Sequence, residues 1–387
     1  MELNERVTAI TPSVTLAIDA KAKALAAAGE SVCGFGAGEP DFDTPEHVKE
    51  AAAKALRDGK TKYAPNDGIL DLRAAIADKL ASENKLSYKI EQVLVSNGAK
   101  HSLFNIFMAL CRAGDEVIIP APYWLSYPEM VRVAGGTPVF VRGSEAHGLK
   151  VTASQVEAAI TPRTKALVLN SPSNPTGMVY TRDELRSLAE MAVKHNLYIV
   201  SDEIYERMVY DGVEAVSVGS ISHEIFKRTI TVNGFSKPYA MTGWRLGYFA
   251  GPVEIVKAAS ALQSHSTSAP NTFAQYGAVA ALRGPQDCVG KMVKAFDERR
   301  QVLHKALISM KGISCVKPTG AFYVFPNISS FGLSSMVFAE KLLEKEKMAV
   351  VPGIPFGADE NIRLSYACSM SNIEEGMTRL ERFIDEL

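Results

Sequence analysis

The sequence predicts an α/β protein with a large domain and a smaller α+β domain. The large domain is read as a mostly parallel sheet sandwiched by helices. Three observations carry this. Between residues 93 and 234, short apolar runs alternate with amphipathic helical stretches, the pattern of strands covered on both faces by crossover helices. Beyond residue 285 that alternation gives way to one long helical stretch and a few short β segments. The 387 residues suffice for two domains at roughly 100–200 residues each.

Pro45 to Leu56 reads as a helix, with proline at its start and Gly59 just past its end. Asp67-Gly68 is a turn signal, followed by a helical run through Leu80. Val93-Leu94-Val95 reads as a strand before the helix Lys100–Cys111, and Glu116-Val117-Ile118-Ile119 as the next strand. Ala166–Leu169 is a strand ending at Asn170, Leu197–Val200 one ending at Asp202, and Thr229–Val232 one ending at Asn233-Gly234. Arg182–Lys194 reads as the helix between two of them. Ligands of such sheets sit at the carboxyl ends of strands, so the loops after Val95, Ile119, Leu169, Val200 and Val232 are expected to converge. In the smaller domain, Lys291–Met310 and Met336–Glu346 read as helices, with β segments near Ala321–Phe325 and Asn361–Ser365. Gly34–Gly38 marks a turn before the large domain. The expected division is therefore 1–40 as an N-terminal arm and part of the small domain, 41–284 as the large domain, and 285–387 as the small domain.

Composition narrows the function classes. Hydrophobic residues make up 47% and charged residues 22%, which excludes disorder, collagen and coiled-coil rods. Forty-two basic against 43 acidic residues leave a net charge of −1, unlike a strongly basic nucleic-acid binder. No apolar run approaches the ~20 residues that span a bilayer. The opening Met1-Glu2-Leu3-Asn4-Glu5-Arg6 is acidic and lacks an apolar core, which reads as neither a signal nor a transit peptide. Cys33, Cys111, Cys288, Cys315 and Cys368 are odd in number and widely spaced, and are expected to be buried, reduced and apolar in behaviour. A cytoplasmic protein without membrane or nucleic-acid partners is the expectation.

Several motifs fail. Gly34-Phe35-Gly36-Ala37-Gly38 lacks the third glycine and the strand–turn–helix context of a dinucleotide loop. Asp58-Gly59-Lys60-Thr61 ends like a P-loop, but Lys54 stands where its first glycine belongs. Gly234-Phe235-Ser236-Lys237-Pro238 starts like a nucleophile elbow and ends in proline. His223-Glu224 has no second histidine, the other histidines are scattered, and no metal site is expected. His101 reads as a packed or capping residue.

One stretch carries chemistry. In Asn233-Gly234-Phe235-Ser236-Lys237-Pro238-Tyr239-Ala240-Met241-Thr242-Gly243-Trp244-Arg245-Leu246-Gly247, a lysine stands at a strand's carboxyl end. Desolvation there disfavours its ammonium form, leaving an amine able to attack an aldehyde. Arg245, eight residues on, offers a two-pronged phosphate ligand, and Ser236 a hydroxyl for the same anion. An aldehyde and a phosphate on one molecule point to pyridoxal 5′-phosphate (PLP).

Gly234–Gly247 resembles the PLP-attachment signature of the class I/II aminotransferases, and the resemblance runs along nearly the whole chain. Tyr63-Ala64-Pro65-Asn66-Asp67-Gly68, Ser96-Asn97-Gly98-Ala99-Lys100, Asn170-Ser171-Pro172-Ser173-Asn174-Pro175-Thr176-Gly177 and Ser201-Asp202-Glu203-Ile204-Tyr205 resemble its large-domain motifs. Gly320-Ala321-Phe322-Tyr323, Pro352-Gly353 with Phe356-Gly357, and Arg363-Leu364-Ser365-Tyr366-Ala367 resemble its small-domain motifs.

The resemblance implies PLP fold type I, with a seven-stranded sheet in a PLP-binding large domain. It implies Lys237 as the Schiff-base lysine and the base moving a proton at the substrate Cα. Asp202 would pair with the pyridine nitrogen, and Tyr205 and Asn174 with the phenolic oxygen. Trp124 would stack on the ring. Backbone groups of Gly98, Ala99 and Lys100 would join Ser236 and Arg245 on the phosphate. Arg363 would grip the substrate α-carboxylate, with the backbone of Gly38 close to the substrate. Tyr63 would reach the phosphate of a neighbouring subunit, which implies a homodimer with composite sites.

The pattern is most similar to the bacterial- and plastid-type (1β) aspartate aminotransferases. Lys100, with Ser13 and Thr15, would then read the distal carboxylate of a substrate. The implied reaction is ping-pong transamination between amino acids and 2-oxo acids, aspartate with 2-oxoglutarate first, and amination of prephenate to arogenate second. Another amino-acid preference, or a PLP-dependent C–S β-lyase on the same fold, would use the same Lys237 and Asp202.

Overall fold

The computed structural model describes residues 3–12 and 14–387. A seven-stranded sheet forms its centre, in the spatial order Val93–Ser96, Gly247–Ala250, Thr229–Gly234, Tyr198–Asp202, Thr164–Asn170, Glu116–Ala121, Thr137–Arg142. Gly247–Ala250 runs antiparallel to both neighbours, and the remaining pairings are parallel. All six residues of Thr229–Gly234 are buried, as an apolar run without alternation requires in a sheet covered on both faces.

The covering helices follow local rules. Thr181 and Glu184 form a capping box: Thr181 Oγ1 accepts from Glu184 N at 3.3 Å, and Glu184 Oε2 accepts from Thr181 N at 2.7 Å. The helix Arg182–Lys194 then buries Leu185, Leu188, Ala189, Met191 and Ala192 at helical spacing. The helix Glu46–Arg57 starts at Pro45, and Leu70–Asn84 stops at Lys85 in the left-handed conformation, φ 59°. His101 Nδ1 accepts from Asn97 N at 3.2 Å, so this histidine caps the start of its own helix.

A second apolar core gathers the other end of the chain. The helices Asp287–Ser309, Ser335–Glu346 and Met370–Asp385 pack around the three-stranded sheet formed by Val351–Pro352, Ile362–Ser365 and Tyr323–Val324. Cys33 and Phe35 belong to the same core, and Cys33–Gly34 pairs in parallel with Met348–Ala349.

Two strands depart from the sequence reading. Thr137–Arg142 carries Pro138 and only one buried residue, because it lies at the sheet's edge. Gly247–Ala250 is four residues long and begins with a glycine that lies against Gly234. The cysteines also differ from expectation. All five are free, but only Cys33 and Cys111 are buried, while Cys288, Cys315 and Cys368 are half-buried. Cys288 sits in the first turn of its helix, at the rim of the core. Among the described residues no helix is long and apolar enough to cross a membrane.

Candidate active site

The five loops predicted to converge do so, around a cavity of about 520 Å³ at the carboxyl edge of the sheet. Gly38, Ala99, Lys100, Trp124, Asn174, Asp202, Tyr205, Ser236, Lys237, Arg245 and Arg363 line it. Gly98 is not among the lining residues, but it directly precedes Ala99 and lies beside Arg245. Tyr63 is not among this group; its side chain is 99% exposed and turned away from its own chain's core. Ser13 lies outside the described residues, as does the side chain of Thr15, whose backbone is in the helix Val14–Ala27.

One side of the cavity is shaped for an anion. Gly98, at φ 88°, turns the strand Val93–Ser96 into the helix Ala99–Leu110. A Cβ on Gly98 would stand 2.7 Å from Arg245 Nη2, so only glycine lets the turn and the guanidinium meet. First-turn N–H groups of a helix have no intrahelical acceptor, which favours an anion beside Ala99 and Lys100. Arg245, at φ 54°, is held by its own loop, Nη1 donating to Thr242 O at 2.8 Å.

Lys237 follows the strand Thr229–Gly234, and its Nζ donates to Gly38 O. Burial draws its amine down to about 8. Glu39 works against that shift, Arg363 and Arg245 add to it, and Asp202 opposes it. Asp202, at the end of Tyr198–Asp202, is pushed the other way. Burial raises its carboxyl to about 6, against Tyr127, Ile204 N–H and the charge of Lys237. Tyr127 Oη donates to Asp202 Oδ2 at 2.6 Å.

Trp124 meets Tyr127 edge-on, centroids 5.2 Å apart, and carries Lys100 Nζ 5.0 Å from its ring. Enclosure in the cleft, then the charge of Arg245, lowers the Lys100 amine below its ordinary range. Tyr205 Oη lies 2.9 Å from Tyr323 Oη.

Arg363 rises from the strand Ile362–Ser365 and is 2% exposed. Nη1 donates to Asn174 Oδ1 at 3.0 Å, and Nη2 to Gly36 O at 2.8 Å. The rings of Tyr323 and Phe356 flank the guanidinium, with centroids 4.5 and 5.2 Å away. Its buried Nε has no partner. A buried donor without an acceptor costs about 1–3 kcal/mol. Asn174 is itself fixed, its N–H donating to Asn170 Oδ1 at 2.8 Å.

Sequence reasoning left Tyr127, Glu39, Thr242 and Tyr323 without roles. Tyr127 lies one helical turn beyond Trp124, which is the signal that could have found it. Thr242 Oγ1 donates to Glu39 Oε2 at 2.7 Å, tying the N-terminal segment to the loop of Lys237. No sequence pattern announces a contact between positions so far apart.

A depressed lysine opposite a buried carboxylate, between an anion cradle and a carboxylate-ready arginine, defines an enzyme of amine–carbonyl chemistry. The chain belongs to the class I and II aminotransferases, whose family model matches residues 30–380. It is 49% identical to an aspartate aminotransferase of Bacillus subtilis over 100% of both chains. It is 47% identical to an aspartate/prephenate aminotransferase of Cereibacter sphaeroides over 98% of each. Among solved structures it resembles the aspartate aminotransferase of Thermus thermophilus with maleate, at a TM-score of 0.96 and 47% identity over 99% of both chains. The family implies PLP as its cofactor.

Proposed function

We propose that this aminotransferase moves the amino group of aspartate to 2-oxoglutarate in a ping-pong cycle with PLP, and that prephenate is a further amino acceptor. One observation carries the substrate class: Lys237, Arg245, Arg363 and Lys100 line a single cavity, opposed there by Asp202 and Glu39. Such a surplus of cations suits a phosphate together with a dicarboxylate. The names of the relatives support the same reading.

The residues fit PLP. The glycine turn with Arg245 suits its phosphate, the buried carboxylate of Asp202 suits its ring nitrogen, and the depressed amine of Lys237 suits its aldehyde. Bound PLP supplies that aldehyde and an electron-withdrawing ring. Gly98, Ala99, Lys100 and Ser236 hold the phosphate with Arg245. Tyr205 and Asn174 would donate to the phenolic oxygen, and Trp124 would cover the ring. Arg363 orients the substrate by its α-carboxylate, with Gly38 alongside, so that the Cα–H bond faces Lys237. Lys237, neutral in part near pH 8, takes the Cα proton. Lys100, helped by Ser13 and Thr15, reads the distal carboxylate.

The exposed ring of Tyr63 supports a homodimer in which Tyr63 reaches the phosphate of a second copy. Five free cysteines support a reducing, cytoplasmic setting. The division at 1–40, 41–284 and 285–387 is supported by the core that joins Cys33 and Phe35 to the C-terminal helices.

A steady-state panel of amino donors and oxo acids, prephenate included, tests the reading. Aspartate with 2-oxoglutarate is expected to give the highest kcat/KM, with oxaloacetate formed. Release of pyruvate and thiol from cystathionine, without oxaloacetate from aspartate, would sink the proposal in favour of β-elimination.

A further inference from the structure

We infer that Tyr323 is a positioning residue for the cofactor's phenolic oxygen, acting through the hydroxyl of Tyr205. The inference rests on the placement of PLP proposed above. The two hydroxyl oxygens are 2.9 Å apart, and both rings are buried, Tyr323 completely. The rings meet edge-on, with centroids 5.8 Å apart and planes at 80°.

A phenol donates one hydrogen bond and can still accept. Once Tyr205 donates its hydrogen bond to an oxygen in the cavity, its own oxygen accepts a hydrogen bond from Tyr323. The order becomes Tyr323 O–H to Tyr205 O, then Tyr205 O–H to the ligand oxygen. Polarisation along such a chain strengthens the terminal donor. Burial lifts both phenols above their ordinary range and keeps them in the neutral, donating form.

Tyr323 is held in place for this task. Its backbone pairs with Ser365, two residues beyond Arg363, and its hydroxyl would stand 3.4 Å from a Cβ at Gly38. The ring and the hydroxyl face different neighbours: the ring carries Arg363, and the hydroxyl meets Tyr205. Tyr323→Phe therefore removes the hydroxyl and leaves the packed ring. Arg363, Lys237, Asp202, Glu39 and Arg245, the charged groups that surround the pair or face Lys237, stay as they are.

The test is a spectrophotometric pH titration of PLP in the resting holoenzyme, without substrate. It compares wild type, Tyr205→Phe, Tyr323→Phe and the double variant. A donor favours the anionic oxygen, so a weaker donor raises the pKa of the bound cofactor. Tyr205→Phe is expected to raise it most, and Tyr323→Phe by about 0.5–1 pH unit. Adding Tyr323→Phe to Tyr205→Phe should move it no further. A shift with Tyr205→Phe but none with Tyr323→Phe overturns the inference and leaves the cofactor placement standing. A titration indifferent to Tyr205→Phe overturns both. An equal shift from Tyr323→Phe in either background would show that Tyr323 acts without Tyr205, which also overturns the relay.

Discussion

Lys237 and Asp202 carry opposite charges when ionised, yet burial drives each toward its neutral form, to about 8 and about 6 respectively. The amine gains most from this, because only its neutral form attacks a carbonyl. Capture of PLP by enzyme stripped of cofactor should therefore speed up as pH rises through about 8 and level off above it. An unperturbed lysine would keep accelerating to about 10.4. Stopped-flow absorbance at a series of pH values measures this, and a midpoint near that unperturbed value would refute a desolvated amine. Lys237→Ala should abolish covalent capture at every pH. Much of this chemistry was legible in the residues themselves: a lysine at a strand end, an arginine eight positions on, an aspartate closing another strand. Tyr127 and Tyr323 were not legible, because a phenol's role depends on which oxygen lies opposite it, and tertiary packing alone decides that.

At the scale of elements, the turn from Val93–Ser96 into Ala99–Leu110 carries the phosphate proposal. Its backbone at Gly98 occupies φ 88°, and Arg245 fills the space a side chain would need. Gly98→Ala should cost about 1–3 kcal/mol in strain at this turn, weakening PLP affinity by roughly 10- to 100-fold. Equilibrium dialysis against PLP reads the change; an affinity within twofold of wild type would show that the turn does not form the phosphate cradle. Buried strands such as Thr229–Gly234 could be read from sequence because both faces are apolar. Gly247–Ala250 could not, since it is short, begins with glycine and pairs on one side with the distant strand Val93–Ser96. Pro138 concealed Thr137–Arg142 in the same way, by weakening a strand that needs only one paired side.

At the scale of the whole molecule, the proposed homodimer would make each site depend on a second copy through the exposed Tyr63. Tyr63→Phe removes one hydrogen bond to a charged group, worth about 1.5–3 kcal/mol. Chains carrying Lys237→Ala and chains carrying Tyr63→Phe should each be impaired alone. Mixed by unfolding and refolding together, they should recover activity, because a hybrid dimer holds one site with both residues intact. No recovery, with hybrids verified by native mass spectrometry, would place Tyr63 outside the partner's site. The segment from Gly36 to Gly38 has a related consequence for how the molecule comes into being. Its carbonyls hold Lys237, 199 positions away, and Arg363, 327 positions away. A growing chain thus makes the acceptors almost at the outset and the arginine that needs them near the end of synthesis. The proposed carboxylate grip has to wait for translation to be nearly complete, and a nascent chain that ends between Lys237 and Arg363 has the lysine proposed for the cofactor but not the anchor proposed for the substrate.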